Sequence, residues 1–390
     1  MNISIAFQNH YLEQPTYLAR APGRVNLLGE HVDYNAGVVL PAAIDRSVTI
    51  AACKTDDRLV SLSALDLGEE VVFSLDQLEA KKGLTDSPLP GWALYPAGVA
   101  WALQERGLAV AGMKAVFTSD VPIGAGLSSS AAVEVAFAAL WEQMSDWRID
   151  RLELAIVCQR SENEYVGVSC GLMDQFACAN GVQGHAIYFD TRSLEHHPVP
   201  LPQETTIVIA DSGVRRSLTN SAYNERRAAC EQAVALLRKY IPDLRSLRDV
   251  SPPEFAAYSV YLPEMISLRA EHVVKEIARV QSAITALNRN DARAFGALMY
   301  AGHASLRDLY EVSTIELDTL VEIARSLPGC YGARLTGAGF GGCTVNLVNT
   351  HQTELFIQQL IDGYQQRTSR TARVFRCQAS QGAEVMQLSG

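Results

Sequence analysis

The run Pro122-Ile123-Gly124-Ala125-Gly126-Leu127-Ser128-Ser129-Ser130-Ala131-Ala132 admits few backbones. Glycines at 124 and 126 open conformations that other residues avoid and let backbone N–H groups approach a bound group closely. Residues 114–118 before the run read as a short strand, and residues 129–144 after it are Ala-rich with helical spacing. A glycine loop leading from a strand into a helix offers a phosphate the helix's unpaired N–H donors and its positive dipole end. Serine hydroxyls there add donors for phosphate oxygens, or oxygen ligands for a metal. No G-K-[ST] follows, so this is not the common nucleoside-triphosphate loop. Ser129 stands where a dinucleotide-binding loop has its third glycine. Two glycines alone suit a plain turn with serine caps equally well. Three serines running into an Ala-rich helix favour an anion site.

With 390 residues the chain is long enough for two domains. Residues 47–53, 187–190 and 206–211 are predicted strands, and 151–165 a predicted helix. Pro198, Pro200 and Pro202 mark residues 196–203 as a linker or edge segment. The boundary falls there, with an N-terminal domain over 1–200 and a C-terminal domain over 201–390. Helical periodicity covers 221–240, 263–287, 291–309 and 314–327. Strands at 333–335 and 343–348 then flank a glycine loop, a helix spans 354–367, and a last strand spans 372–378. Strands and helices interleave in both halves, which predicts an α+β fold.

Hydrophobic residues make up 48% and charged residues 19%, which excludes a disordered chain and a small disulfide scaffold. The net charge of −10 gives the molecule as a whole no attraction to nucleic acid or an anionic membrane. A phosphate ligand then requires a local device. The first ten residues carry no basic cluster followed by an apolar run, and no apolar stretch approaches the roughly 20 residues of a membrane span. The expectation is a cytoplasmic protein without a signal peptide. Eight cysteines are scattered without a C-x-x-C pair. Reduced, mostly buried thiols are expected rather than zinc ligands or disulfides. His196 and His197 read as neighbours in a polar surface loop.

Two further stretches carry chemistry. Ala21 to Asn35 crowds Arg24, Glu30, His31 and Asp33 between apolar residues. Carboxylates and an imidazole so close suit several sugar hydroxyls, and a solvated loop fits the spacing as well. In Cys170-Gly171-Leu172-Met173-Asp174-Gln175, the Asp after a glycine turn suits a buried general base or a helix cap. Composition and spacing leave that choice open.

Together these stretches resemble the galactokinase family, within the superfamily of galacto-, homoserine, mevalonate and phosphomevalonate kinases. Gly23-Arg24-Val25-Asn26-Leu27-Leu28-Gly29-Glu30-His31-Val32-Asp33-Tyr34-Asn35 resembles the galactokinase signature, and Gly124 to Ala132 the superfamily's ATP motif. Leu335-Thr336-Gly337-Ala338-Gly339-Phe340-Gly341-Gly342-Cys343 is similar to its C-terminal glycine motif. Gly213-Val214-Arg215-Arg216-Ser217-Leu218 with Tyr223-Asn224-Glu225-Arg226-Arg227, and His303-Ala304-Ser305-Leu306-Arg307-Asp308, also resemble galactokinases. Val32 and Ala36 depart from the usual Thr and polar residue.

The resemblance implies transfer of the ATP γ-phosphoryl group to the anomeric hydroxyl of α-D-galactose with Mg²⁺. A related sugar, such as N-acetylgalactosamine or L-arabinose, and a non-catalytic galactose and ATP sensor are the alternatives. By the same resemblance Asp174 is the base and Arg24 its neighbour, stabilising charge on the transferring phosphoryl. Glu30, His31, Asp33, Gly171 and Tyr223 bind the sugar. Pro122, Gly124, Ala125, Gly126, Leu127, Ser128, Ser129, Ser130 and Ala131 hold ATP, with Trp92 near the adenine. Ser130 and Glu162 coordinate the metal. The implied fold is an N-terminal ribosomal-protein-S5-like mixed sheet with helices and a C-terminal ferredoxin-like α/β sandwich, with the active site in the cleft between them. Small-molecule substrates are the implied partners, without nucleic acid or membrane, for a monomer or a dimer.

Overall fold

The computed structural model describes residues 2–215 and 219–388. Arg216, Ser217 and Leu218 of the galactokinase-like motif lie outside the described residues. The first half is built on a six-stranded mixed sheet. Its order is Glu384–Gln387, Tyr17–Asn26, Pro41–Thr55, Gly112–Ser119, Leu59–Ala64 and Glu69–Ser74. All neighbours are antiparallel except Leu59–Ala64, which runs parallel to Gly112–Ser119. The predicted strand at 47–53 is the middle of Pro41–Thr55. Proline fits at the start of such a strand, and the alternation that betrays a strand appears only at its centre.

The second half has a four-stranded antiparallel sheet, in the order Cys330–Thr336, Cys343–Asn349, Thr205–Asp211 and Arg373–Cys377. Helices Ile315–Ser326 and Thr353–Thr368 bury Leu320, Ala324, Phe356 and Leu360 against Val208, Ala210 and Val348 of this sheet. The predicted helices start where side-chain caps allow. Asp291 accepts from the Ala294 N–H ahead of Ala292–Asp308, and Thr314 from the Leu317 N–H ahead of Ile315–Ser326. The architecture is α+β in two domains, as the resemblance implied. A further apolar cluster joins the halves, with Val25, Leu27, Leu28 and Leu40 packed beside Ile209, Val280, Phe295, Met299 and Val345.

Three local expectations change. His196 and His197 lie not in a loop but on the exposed strand His196–Pro200, at the edge of a three-stranded sheet. The stretch that could pass for a solvated loop, Ala21 to Asn35, ends a central strand and continues into the turn Asp33–Asn35. Arg24 through Val32 is buried, because the apolar residues between the charges pack into both cores. The helix predicted over 151–165 is α-helical only to Arg160 and widens into a π-helical turn, Ser161–Val166. The helix Leu94–Glu105 presses on that turn, where a methyl on Gly98 would come within 2.5 Å of Ser161 Oγ. The extra residue of a π turn redirects side chains, and here it turns Glu162 towards a cavity.

Candidate active site

A cavity of about 560 Å³ opens between the two halves. Arg24, Ser128, Ser130, Glu162 and Asp174 line it from the first half, and Arg215, Tyr223 and Gly337 from the second. The glycine loop forms one wall. Gly124 and Gly126 adopt φ values of +70° and +81°, and Ser128 is left-handed at +59°, a strained setting for a residue with a Cβ. Ser128 enters the helix Ser129–Met144 without a side-chain cap, so its hydroxyl leaves the first-turn N–H groups free of a cap. The wall carries Gly124, Gly126, Ser128, Ser129 and Ser130, whereas Pro122, Ala125, Leu127 and Ala131 stand behind it. The loop is tied to the strand Tyr17–Asn26 through the Arg24 N–H, which donates to Leu127 O at 3.1 Å. Gly23 permits this approach, since a methyl there would lie 2.7 Å from the same oxygen.

Asp174 sits in the first turn of the helix Met173–Asn180, and both its oxygens are held. Arg24 Nε donates to Oδ1 at 2.8 Å, and Arg24 Nη2 lies 2.6 Å from the same atom. Ser128 Oγ donates to Oδ2 at 2.6 Å. Arg24 Nη1 donates to Gly126 O at 2.7 Å, so one buried guanidinium orients the carboxylate and braces the glycine loop. Burial opposes its charge, but Asp174 and Glu30 outweigh burial and hold its pKa above the ordinary value.

Opposite this pair lie the residues expected to bind sugar. Asp33 packs against Gly171, where a methyl would fall 1.8 Å from Asp33 Oδ2. Burial, reinforced by the charge of Asp174, raises the Asp33 pKa to about 6. Glu30 Oε2 accepts from Asn26 Nδ2 at 2.7 Å, and its Oε1 from the Gly337 N–H at 2.8 Å. Burial raises the Glu30 pKa against the pull of Arg334 and Arg24. His31 Nε2 lies 3.1 Å from Ala338 O, which can only accept. In the neutral ring Nε2 therefore carries the hydrogen, and Nδ1 accepts from Tyr34 OH at 2.8 Å. Tyr34 OH meets Tyr310 OH at 2.7 Å, and the Tyr223 ring packs on both His31 and Tyr34. The second half's glycine motif thus closes over the first half's signature through Gly337 and Ala338.

Glu162, buried in the π turn, touches the Ser130 hydroxyl and accepts from Gln175 Nε2 at 2.6 Å. Burial raises its pKa, and Cys170, Ser130 and Gln175 pull it the other way by hydrogen bonding. Among the described residues no group of three or more His, Cys, Asp or Glu is poised to hold a metal. Trp92 does not line this cavity. Its indole donates to Glu69 Oε2 at 2.6 Å and packs on Phe117, while Tyr95 of the same segment reaches the wall. Sequence reasoning passed over Tyr95, and also over Gln175 and Asn224, although these two lie within stretches singled out there. Arg215 lines the mouth, paired with Asp211 at 2.7 and 2.8 Å.

Three family models match the chain. They are the galactokinase galactose-binding signature over residues 5–54, the GHMP kinases N terminal domain over 95–182, and the GHMP kinases C terminal model over 283–364. A galactokinase of Roseiflexus sp. (strain RS-1) is 47% identical over 96% of this chain and 94% of its own length. One from Chloroflexus aurantiacus is 43% identical over 98% and 97%. The crystal structure of Lactococcus lactis galactokinase complexed with galactose superposes with a TM-score of 0.92 at 34% identity, covering 98% of both chains. A mevalonate kinase structure, at 20% identity and a TM-score of 0.65 over 93% of this chain and 98% of its own, shares the fold.

Proposed function

The chain belongs to the galactokinase family, and on that premise we propose how its own residues carry out the family's reaction. It is a galactokinase, a phosphotransferase that uses ATP to convert α-D-galactose into α-D-galactose 1-phosphate and ADP. Asp174 is the base. Arg24 holds Oδ1 through an Nε hydrogen bond and the close Nη2 charge, and Ser128 takes one position of Oδ2, which leaves one lone pair on Oδ2 to accept the anomeric hydroxyl proton. Arg24 stabilises charge on the transferring phosphoryl. In a loose phosphoryl-transfer transition state, such positioning and electrostatics do most of the work. The ATP phosphates rest on the uncapped start of the helix Ser129–Met144 and on the Gly124–Gly126 backbone. Glu30, His31, Asp33, Gly171 and Tyr223 form the sugar shell. An epimer that leaves these buried groups unpaired is rejected.

Ser130 and Glu162 would hold Mg²⁺. A hydroxyl touching a buried carboxylate is an oxygen donor set suited to a hard dication. When bound, Mg²⁺ neutralises charge on the β- and γ-phosphates. The domain boundary is placed near residue 200. The enzyme works in the cytoplasm as a monomer or a dimer, and eight cysteines scattered without a C-x-x-C pair support the reducing compartment.

The observation that carries this reading is the two-sided grip on Asp174 across from the sugar shell. Asp174→Asn retains the shape and loses the base. Its kcat is expected to fall by roughly a hundredfold or more, with galactose affinity within about threefold of the parent. Turnover near the parental rate, with calorimetric galactose binding intact, would remove Asp174 as the base.

A further inference from the structure

Behind Glu162 lies a second carboxylate that the reaction as described leaves unused. Glu134 stands one helical turn beyond Ser130 on the helix Ser129–Met144 and is 0% exposed. Gln175, the residue after Asp174, is also 0% exposed and lies between the two acids. Its Nε2 donates to Glu162 Oε2 at 2.6 Å and to Glu134 Oε2 at 3.0 Å. The chemistry fixes this amide orientation, because two carboxylate oxygens call for a group with two hydrogens, and the amide oxygen turned that way would meet only acceptors. The Cys170 thiol adds a second donor to Glu162 Oε2, at 3.2 Å.

The arrangement is costly. Among the described residues, Glu134 Oε1 and Gln175 Oε1 are buried without a hydrogen-bond partner. The charges of Glu162 and Asp174 add to the burial that disfavours a charge on Glu134. An apolar side chain would fill the same space without that penalty. Local costs of this kind survive where they serve a site.

We infer that Gln175 and Glu134 are positioning residues for the metal carboxylate. Glu134 anchors the Gln175 amide, and Gln175 fixes the rotamer of Glu162 within the π turn. The inference rests on Glu162 being the cation ligand. Because Gln175 follows Asp174 on one helical turn, the clamp also sets the cation's carboxylate relative to the base.

The test is Mn²⁺ binding, followed by electron paramagnetic resonance on the full chain with galactose and a non-hydrolysable ATP analogue. Gln175→Met keeps the length and removes the donor. It should raise the half-saturating Mn²⁺ concentration by roughly tenfold or more, as loss of a metal ligand's supporting partner does. Galactose affinity by calorimetry should stay unchanged. Glu134→Met should act in the same direction, and the double variant should be no worse than Gln175→Met alone, since the two residues act in series. If Gln175→Met fails to fold, Gln175→Asn replaces it. Its amide falls one methylene short of Glu162, and the same weakening is expected. Glu162→Gln separates the two levels. If it leaves Mn²⁺ affinity unchanged, the metal reading falls and the clamp with it. If it weakens Mn²⁺ binding while the Gln175 variants do not, the clamp alone is wrong. Equal losses of galactose and Mn²⁺ affinity in the Gln175 variants would also overturn it, since a collapsed site moves both.

Discussion

Asp33 is a carboxyl whose charge is set by its neighbours more than by its own chemistry. Burial and the nearby Asp174 raise its pKa from 3.8 to about 6. In its proposed role as a sugar ligand, above that value it accepts hydrogens from sugar hydroxyls with both oxygens, and below it one oxygen carries a proton. The KM for galactose should therefore rise as pH falls through about 6, and Asp33→Asn should start higher and lose the dependence. A KM profile equally steep in both proteins would assign the titration elsewhere. The folding linkage has its own sign. A raised carboxyl contributes stability fully below pH 3.8, and that contribution is lost as pH rises through about 6. Spacing in the sequence brought Glu30, His31 and Asp33 together as hydroxyl binders. It did not show that both ring nitrogens of His31 are engaged, because Tyr34 and Ala338 reach it through the fold. Trp92 was selected for its aromatic ring, and of the same segment it is Tyr95, three residues on, that lines the cavity.

The helix Ser129–Met144 was readable in full, since alanines, helical spacing and a glycine loop before it all agree. Its entry hides a conflict that only coordinates reveal. Ser128 holds a left-handed φ of +59° without capping the helix, and spends its hydroxyl on Asp174. Ser128→Gly should relieve the backbone, raising stability by up to ~1 kcal/mol. It should also lower kcat by roughly tenfold or more through loss of a charge-assisted hydrogen bond. Thermal unfolding and steady-state rates read the two effects separately, and a lower melting temperature would show that the serine is not strained. The π turn at Ser161–Val166 was not legible, because residues 151–165 carry plain helical periodicity. The turn packs closely on Gly98 of another helix, a contact that no local pattern records.

At the scale of the whole molecule, a buried ionic group fastens the halves beneath the sugar shell. Arg334 is 0% exposed. Its Nη1 donates to Glu276 Oε1 and to Leu27 O, both at 3.1 Å. Glu276 Oε1 also accepts the Gly29 N–H at 2.9 Å, and Arg279 pairs with the other oxygen. The signature around Glu30 thus stands on residues some 250 to 300 positions later in the chain. Arg334→Met should destabilise the protein by about 3–5 kcal/mol, the cost of leaving buried charge uncompensated. Arg334→Met combined with Glu276→Gln should recover part of it. Urea unfolding measures both, and additive losses would mean that the two residues do not share one network. The closing strand Glu384–Gln387, which pairs with Tyr17–Asn26, went unread because it is short and mostly exposed.

The residues alone carried the α+β class, most helices, the phosphate loop and the galactokinase resemblance, because each rests on local pattern. Periodicity, caps and glycine spacing act within a few residues and leave their trace in order along the chain. Folding decided what depends on distance in space. It turned Asp174 from an Asp of open role into a carboxylate gripped by Arg24 and Ser128. It also brought Ser130 against Glu162, with Gln175 and Glu134 behind. In the proposed reading a chain of net charge −10 takes up ATP because N–H groups and Arg24 are gathered from separate elements at one cavity. Net charge sums over the surface, whereas a site depends on a few fixed dipoles and charges within several ångströms.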